Sequence, residues 1–206
     1  MDRDLISDSR DKPQSWHYTT EKPSEDWFTV GFRPPNSWKQ GNAPFGDSRP
    51  RKPYTEWSGE NLWLQKSFSL TELPETLELL VRHRARVNIY LNGQQIQTVD
   101  GHSNGYQVYP LSKEDMATLQ TGRNVLSVHA KRLDTKATID IALRQSTTTQ
   151  LLQVLTGKDG TKVIDEHQQR RLKDAVRRRD DLHNKPLEEN IRAMIVQERG
   201  SDPGEL

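Results

Sequence analysis

This sequence predicts a mainly β fold: two sheets of short strands packed as a sandwich, followed by a helical extension. Three observations carry that prediction. Val87 to Val99 reads as one β-hairpin, with Val87, Ile89 and Leu91 alternating on one arm and Ile96 and Thr98 on the other, the period-2 spacing of a pleated surface. Asn92-Gly93 lies between the arms and can supply the two positive φ angles of a type I′ turn. Short alternating runs recur at regular spacing until Ser146-Thr147-Thr148-Thr149, after which a helical period takes over.

Composition narrows the function classes. The 206 residues suffice for one sandwich and an appendage. With 32% hydrophobic and 29% charged residues, one compact core with exposed ends is expected. A net charge of +1 gives no overall field to recruit nucleic acid or an anionic membrane. The absence of cysteine excludes disulfides, thiolate metal sites and cysteine nucleophiles. No run has the length of a transmembrane helix, and no apolar stretch of signal-peptide type follows Met1-Asp2-Arg3-Asp4.

Taken in order, residues 1–14 are polar and charged and read as a disordered lead-in. Trp16 to Thr20 is a short strand. Pro23-Ser24-Glu25-Asp26-Trp27 has the proline entry and early acids of a helical turn, with Trp27 as an inward anchor. Gly31 to Pro53 is rich in Gly, Pro, Asn and Ser yet carries Phe32, Trp38 and Phe45, so it reads as a packed flap with Trp38 over one end of the core. Arg49-Pro50-Arg51-Lys52-Pro53 is its basic, proline-stiffened tip. In the next strand Leu62, Leu64, Lys66 and Phe68 share one face, with Trp63, Gln65 and Ser67 opposite. Thr76 to His83 follows, with Leu77, Leu79 and Val81 on one face, and then the hairpin. A glycine-bounded loop, Gly101 to Gly105, leads into the strand Tyr106 to Tyr109. Ser112 is a good N-cap for a short helix with Glu114 and Asp115 in its first turn, ended by Gly122. Asn124 to Ala130 and Ala137 to Leu143 complete the strands. The sandwich is expected over 15–146 and the helical extension over 147–206, where Ile164, Leu172, Ala175, Val176 and Leu182 lie near one stripe.

Five stretches in this order, with Gly105-Tyr106 fourth among them, form a signature. Ser37-Trp38-Lys39-Gln40-Gly41 with Ala43-Pro44-Phe45-Gly46 comes first. Leu62 to Phe68 and Tyr90-Leu91-Asn92-Gly93 follow, and then Gly122-Arg123-Asn124-Val125-Leu126-Ser127-Val128-His129. Over residues 15–145 this resembles the galactose-binding-like jelly roll, in particular the sugar-binding-like domain of family 2 glycoside hydrolases such as β-galactosidases and β-glucuronidases. The resemblance implies a non-catalytic accessory module of a larger extracytoplasmic, periplasmic or secreted protein, with carbohydrate and neighbouring domains as partners. It implies no cofactor. Jelly rolls of this type often hold a structural Ca²⁺, but no motif here supplies the oxygen cluster that ion prefers. Relatives often carry acids just before the Tyr-Leu-Asn-Gly strand. Here Arg82-His83-Arg84-Ala85-Arg86 is basic, so no role of those acids carries over.

A pyranose needs an aromatic ring for its apolar face and hydrogen-bonding side chains for its hydroxyls. The loop residues Trp57, His102, Asn104 and Tyr106 offer these and are the candidate ligand-binding set. A sugar module predicts exposed aromatics around a groove at one end of the sandwich. A structural domain that braces its neighbour predicts that these rings are buried and the loop end is filled. Catalysis is not expected, because glycoside hydrolysis needs two carboxylates held across the sugar and no motif pairs any two of Glu56, Glu60, Asp100, Asp134 and Asp140. The six histidines are scattered, with only His83 and His129 able to meet across strands, so no metal site is expected. Gly101-His102-Ser103-Asn104-Gly105 matches Gly-x-Ser-x-Gly, but a strand pattern follows where a nucleophile elbow needs a helix. Arg170-Arg171 and Arg177-Arg178-Arg179 are interleaved with Glu166, Asp174, Asp180 and Asp181, the pattern of a solvated helix face and not of a nucleic-acid surface.

Overall fold

The computed structural model describes residues 3–47 and 54–145, all within the first of the two units into which the chain divides, Met1–Ser146. The expected helical extension over 147–206 and the tip at 49–53 lie outside the described residues. Twelve strands and one short helix are assigned among the described residues: β1 (Arg3–Ile6), β2 (Gln14–Thr19), β3 (Lys39–Ala43), β4 (Phe45–Gly46), β5 (Thr55–Glu56), β6 (Asn61–Leu70), β7 (Glu78–Arg84), β8 (Arg86–Leu91), β9 (Gln94–Val99), β10 (Gln107–Pro110), α1 (Lys113–Met116), β11 (Gly122–Lys131) and β12 (Thr138–Gln145).

They form two sheets. One runs β10-β7-β12-β4-β5, with β1 also on β12, and the other runs β3-β2-β6-β11-β8-β9. Every pairing is antiparallel except β4 with β5. This is the predicted β-sandwich. The inward faces are those the alternation gave: Leu62, Leu64 and Phe68 from β6, Leu79 and Val81 from β7, Val87, Ile89 and Leu91 from β8, Leu126, Val128 and Ala130 from β11, and Ile139, Ile141 and Leu143 from β12 share one buried core. Lys66 also points inward, and its Nζ leaves the apolar layer to reach the Ser15 carbonyl at 3.0 Å.

The hairpin closes as predicted. Leu91 pairs with Gln94 across Asn92 (φ 51°) and Gly93 (φ 101°). A bulge follows, because Ile89 pairs with Gln97 and Tyr90 with Gln95, leaving Ile96 as the extra residue. Ser112 caps α1 in a reciprocal box with Asp115. Gly122 does not end this helix. The helix stops at Met116, and Gly122 (φ 84°) opens β11.

Other expectations are corrected as well, and the stretch read as a flap over Gly31 to Pro53 contains the strands β3 and β4. Residues 3–14 are no lead-in: Arg3–Ile6 pairs with the far end of β12, and Ile6 is 1% exposed in the core. Trp38 does not cover an end of the sandwich. It joins Trp27, Trp63, Phe28, Phe32 and Tyr90 in a second apolar cluster on the outer face of the β6–β11–β8 sheet. There residues 24–38 lie over the outward side chains Trp63 and Tyr90. Arg123 fastens this flap by donating to the Val30 and Phe32 carbonyls, and buried Gln65 donates to the Trp27 carbonyl at 2.7 Å.

Candidate functional site

The sequence-predicted site residues separate into two places. Trp57 follows β5 and is completely buried. The Arg132 guanidinium lies over its ring at 5.2 Å and donates to its carbonyl. Arg132 also reaches Asp47 at 2.6 Å and the carbonyls of Gly59 and Thr135, each at 3.2 Å. Asp47 in turn accepts from the Ala137 amide at 2.7 Å. Burial works against its charge, but the Ala137 amide and Arg132 outweigh it and hold the carboxyl below its ordinary value. Trp57 is thus a wall of a structural knot, not a stacking platform for a ligand.

His102, Asn104 and Tyr106 belong to the other place. Their loop is stitched to the end of β7: the Ser103 amide donates to the His83 carbonyl at 2.9 Å, and the Ala85 amide donates to the Gly101 carbonyl at 3.0 Å. Ser103 is buried, and its Oγ exchanges hydrogen bonds with the His83 backbone. That engagement is with backbone and not with an imidazole, so the Gly-x-Ser-x-Gly match presents no nucleophile. His102 and Asn104 are exposed. Tyr106 is only 8% exposed, and its hydroxyl donates to Asp140. Of the four predicted residues, the two rings are therefore buried and the two polar side chains are free in solvent.

Other candidates resolve similarly. His83 and His129 lie on different sheets. His83 Nδ1 is 3.1 Å from the Ala85 carbonyl, and burial depresses its basicity. His129 stacks on Trp63 at 4.8 Å and bonds Asn61. Among the carboxylates, Glu60, Asp100 and Asp134 form ion pairs with Lys131, Arg86 and Arg84.

Asp140 is the site that sequence reasoning missed in part. It alternates with Ile139 and Ile141 on β12, which places it on the outer face of its sheet, yet it is 3% exposed. Three donors from two segments converge on it. From the N-terminal segment, the Ser9 amide and hydroxyl donate at 3.2 and 3.1 Å, and from the 101–106 loop comes the Tyr106 hydroxyl. Burial raises its carboxyl to about 6 against the opposite pull of Tyr106 and Ser9, and nearby Asp8 adds to the rise. Burial and the adjoining Asp140 also push the Tyr106 phenol far up, so it stays protonated. Arg10 lies over the Tyr106 ring at 5.0 Å and grips Asp8 through both carboxylate oxygens.

Beside this cluster runs a polar cleft of about 470 Å³, lined by Asp4, Ser7, Asp8, Arg10, Asp11, Lys12, Gln14 and Arg144. Three acids face three bases, with no aromatic ring. Arg144 is bound on one side to buried Glu78 at 2.5 Å, while its Nη2 is buried without a hydrogen bond among the described residues. No group of acids and histidines able to hold a metal ion is found among the described residues.

No family model matches the sequence, and no curated protein matches it. Solved structures do, at low identity. A beta-glucuronidase from an uncultured Clostridium sp. is 14% identical with a TM-score of 0.43, over 71% of this chain and 29% of that one. The Bacteroides uniformis beta-glucuronidase is 14% identical with a TM-score of 0.48, over 70% and 18%. A glycosyl hydrolase family 2 member from Bacteroides cellulosilyticus is 15% identical with a TM-score of 0.44, over 69% and 20%. The chain thus spans less than a third of the length of each of these structures, and it is similar in each case to one part of a larger protein.

Proposed function

We propose that this chain is a non-catalytic β-sandwich module that acts by bracing a neighbouring domain. The observation that carries this reading is the burial of both candidate rings: Trp57 is locked under Arg132, Tyr106 is locked to Asp140, and the 101–105 loop is hydrogen-bonded onto β7. A stacking platform for a sugar needs a ring face open to solvent. Here the loop end is filled with the chain's own groups. The disposition of the acids agrees with a non-catalytic role, since Glu60, Asp100 and Asp134 are each engaged by a cation.

The polar cleft favours a second reading, a carbohydrate module that binds through hydrogen bonds alone. Its alternating acids, bases and amide suit a polyhydroxylated ligand, and its volume lies within the range of small-molecule sites.

One experiment separates the two. A glycan array is probed with the purified chain and with Asp11→Asn, Arg144→Gln and His102→Ala variants. Silence across the array is the expected result and supports the bracing module. Binding lost in Asp11→Asn and Arg144→Gln but kept in His102→Ala establishes the cleft as a carbohydrate site. Binding lost only in His102→Ala overturns both readings and restores the loop.

A further inference from the structure

Two guanidinium groups meet where the aromatic flap joins β11. Arg33, in the flap, turns its Nη1 to the carbonyls of Val30, Gly31 and Phe32 at 3.0, 3.2 and 3.0 Å. Arg123, on β11, donates to the same Val30 carbonyl and to the Phe32 carbonyl at 3.3 Å. Two full positive charges are thus gathered on shared oxygens that carry only partial charge. Neither arginine has a carboxylate partner among the described residues, whereas Arg10, Arg84, Arg86, Arg132 and Arg144 each have one. Asp26, an acid of the flap, accepts from the Ser24 hydroxyl at 2.6 Å instead. We propose that Arg33 and Arg123 form a binding site for a doubly charged oxyanion of the phosphate or sulfate type. This goes beyond the bracing role and does not rest on it.

The donors left over match such a group. Arg33 is exposed and spends only Nη1 on the carbonyls. Its Nε and Nη2 remain as a planar fork, the geometry that takes two oxygens of one oxyanion. Arg123 spends Nη1 and Nη2, and its Nε remains. There is room beside both: a Cβ added at Gly31 or at Gly122 would meet nothing within 4 Å. Stapling the flap's carbonyls needs only one of these arginines, since Arg33 already reaches all three. The second adds a charge that burial, and then the adjacent Arg33, weigh against. An anion between the two heads answers both charges at once, and two unpaired cations favour a dianion over a monoanion. Because one arginine belongs to the flap and the other to the sheet, the bound ion also ties the flap down.

Isothermal calorimetry tests this with the purified chain, titrated with inorganic phosphate, inorganic sulfate, acetate and a hexose phosphate monoester at constant ionic strength and mildly alkaline pH. Saturable binding of phosphate and sulfate is expected, with acetate at least about tenfold weaker. Arg33→Gln is expected to weaken phosphate binding at least about tenfold, the loss of one charge-assisted pair. Arg33→Lys is expected to weaken it less, because the charge stays and only the fork is lost. Arg86→Gln, which removes an arginine already paired with Asp100, is expected to leave it unchanged. Tighter binding of the hexose phosphate than of the inorganic ion marks an ester on a larger ligand as the source, and the reverse marks the free ion; either result supports the site. Hydrogen exchange places it: phosphate is expected to slow the amides of residues 29–33 in the wild-type chain and not in Arg33→Gln. No saturable binding of phosphate or sulfate, acetate binding as tight as phosphate, or undiminished binding by Arg33→Gln overturns the proposal.

Discussion

Asn92 and Asn124 are bonded to each other, Nδ2 to Oδ1 at 2.7 Å. Asn92 also donates to the Thr118 carbonyl and accepts from the Val125 amide, and the fully buried Asn124 accepts from the Gln120 amide and donates to the Gln120 and Gly122 carbonyls. Asn124→Ala leaves several of these partners buried and unpaired, so a loss of about 2–4 kcal/mol is expected in denaturant titration. Glycines give a second test. A Cβ at Gly46 would stand 2.3 Å from the Ala137 carbonyl oxygen, whereas one at Gly93 meets nothing closer than 3.8 Å. Gly46→Ala is expected to cost about 3 kcal/mol or more and Gly93→Ala only about 1–2 kcal/mol from its left-handed φ. The two asparagines lie in two of the stretches that carried the resemblance, Leu-Asn-Gly and Gly-x-Asn-x-Leu-x-Val. Sequence order displayed both but could not show that they touch, because 32 residues separate them.

At the scale of elements, the alternation of β6, β7, β8, β11 and β12 was legible because each strand's inner face enters one core and period 2 reports it. Several elements were not legible: β3, β4 and β5 fall in or beside the stretch that reads as a loop, and β1 and the outer aromatic cluster escaped as well. β1 has only Leu5 and Ile6 as apolar residues within a charged stretch, and its partner lies at the other end of the described sandwich. The Trp27–Trp38–Trp63 cluster was hidden for a different reason. Alternation assigns Trp63 to the solvent face, and nothing local to β6 says that residues 24–38 cover it. Burial of Tyr106 and Trp57 escaped in the same way, since each ring is covered by a distant partner, Asp140 or Arg132. If the flap is a packed element, Trp27→Ala is expected to cost about 3–5 kcal/mol and to raise hydrogen exchange first in residues 24–38. An unchanged flap would count against the second cluster as a unit.

At the scale of the molecule, cohesion comes from the central core and the smaller outer cluster, not from surface charge. Arg84–Asp134, Arg86–Asp100 and Lys131–Glu60 are exposed ion pairs, of a kind that contributes at most about 1 kcal/mol each and is screened by salt. Arg132–Asp47 joins the segments that follow β11 and β4, and Arg144–Glu78 is a cross-strand pair of β12 and β7; both are more enclosed. Raising NaCl from about 0.05 M to about 0.5 M is therefore expected to move the melting temperature by no more than about 3 °C, checked by scanning calorimetry. Arg132→Lys is expected to lower it by several times as much, because an ammonium cannot reproduce the planar fork that serves Asp47, Gly59, Thr135 and Trp57.

The Asn92-Gly93 turn also bears on how the protein ages. An asparagine followed by glycine is the pair most prone to lose its side-chain amide, through attack of the glycine nitrogen on the asparagine side-chain carbon and closure to a cyclic imide. Here the side-chain amide is held by hydrogen bonds on both its oxygen and its nitrogen, which restrain its turning toward the glycine nitrogen. Deamidation at Asn92 will therefore accumulate only in molecules whose hairpin has opened, and the isoaspartate content of a stored sample becomes a slow chemical record of how often that opening has occurred.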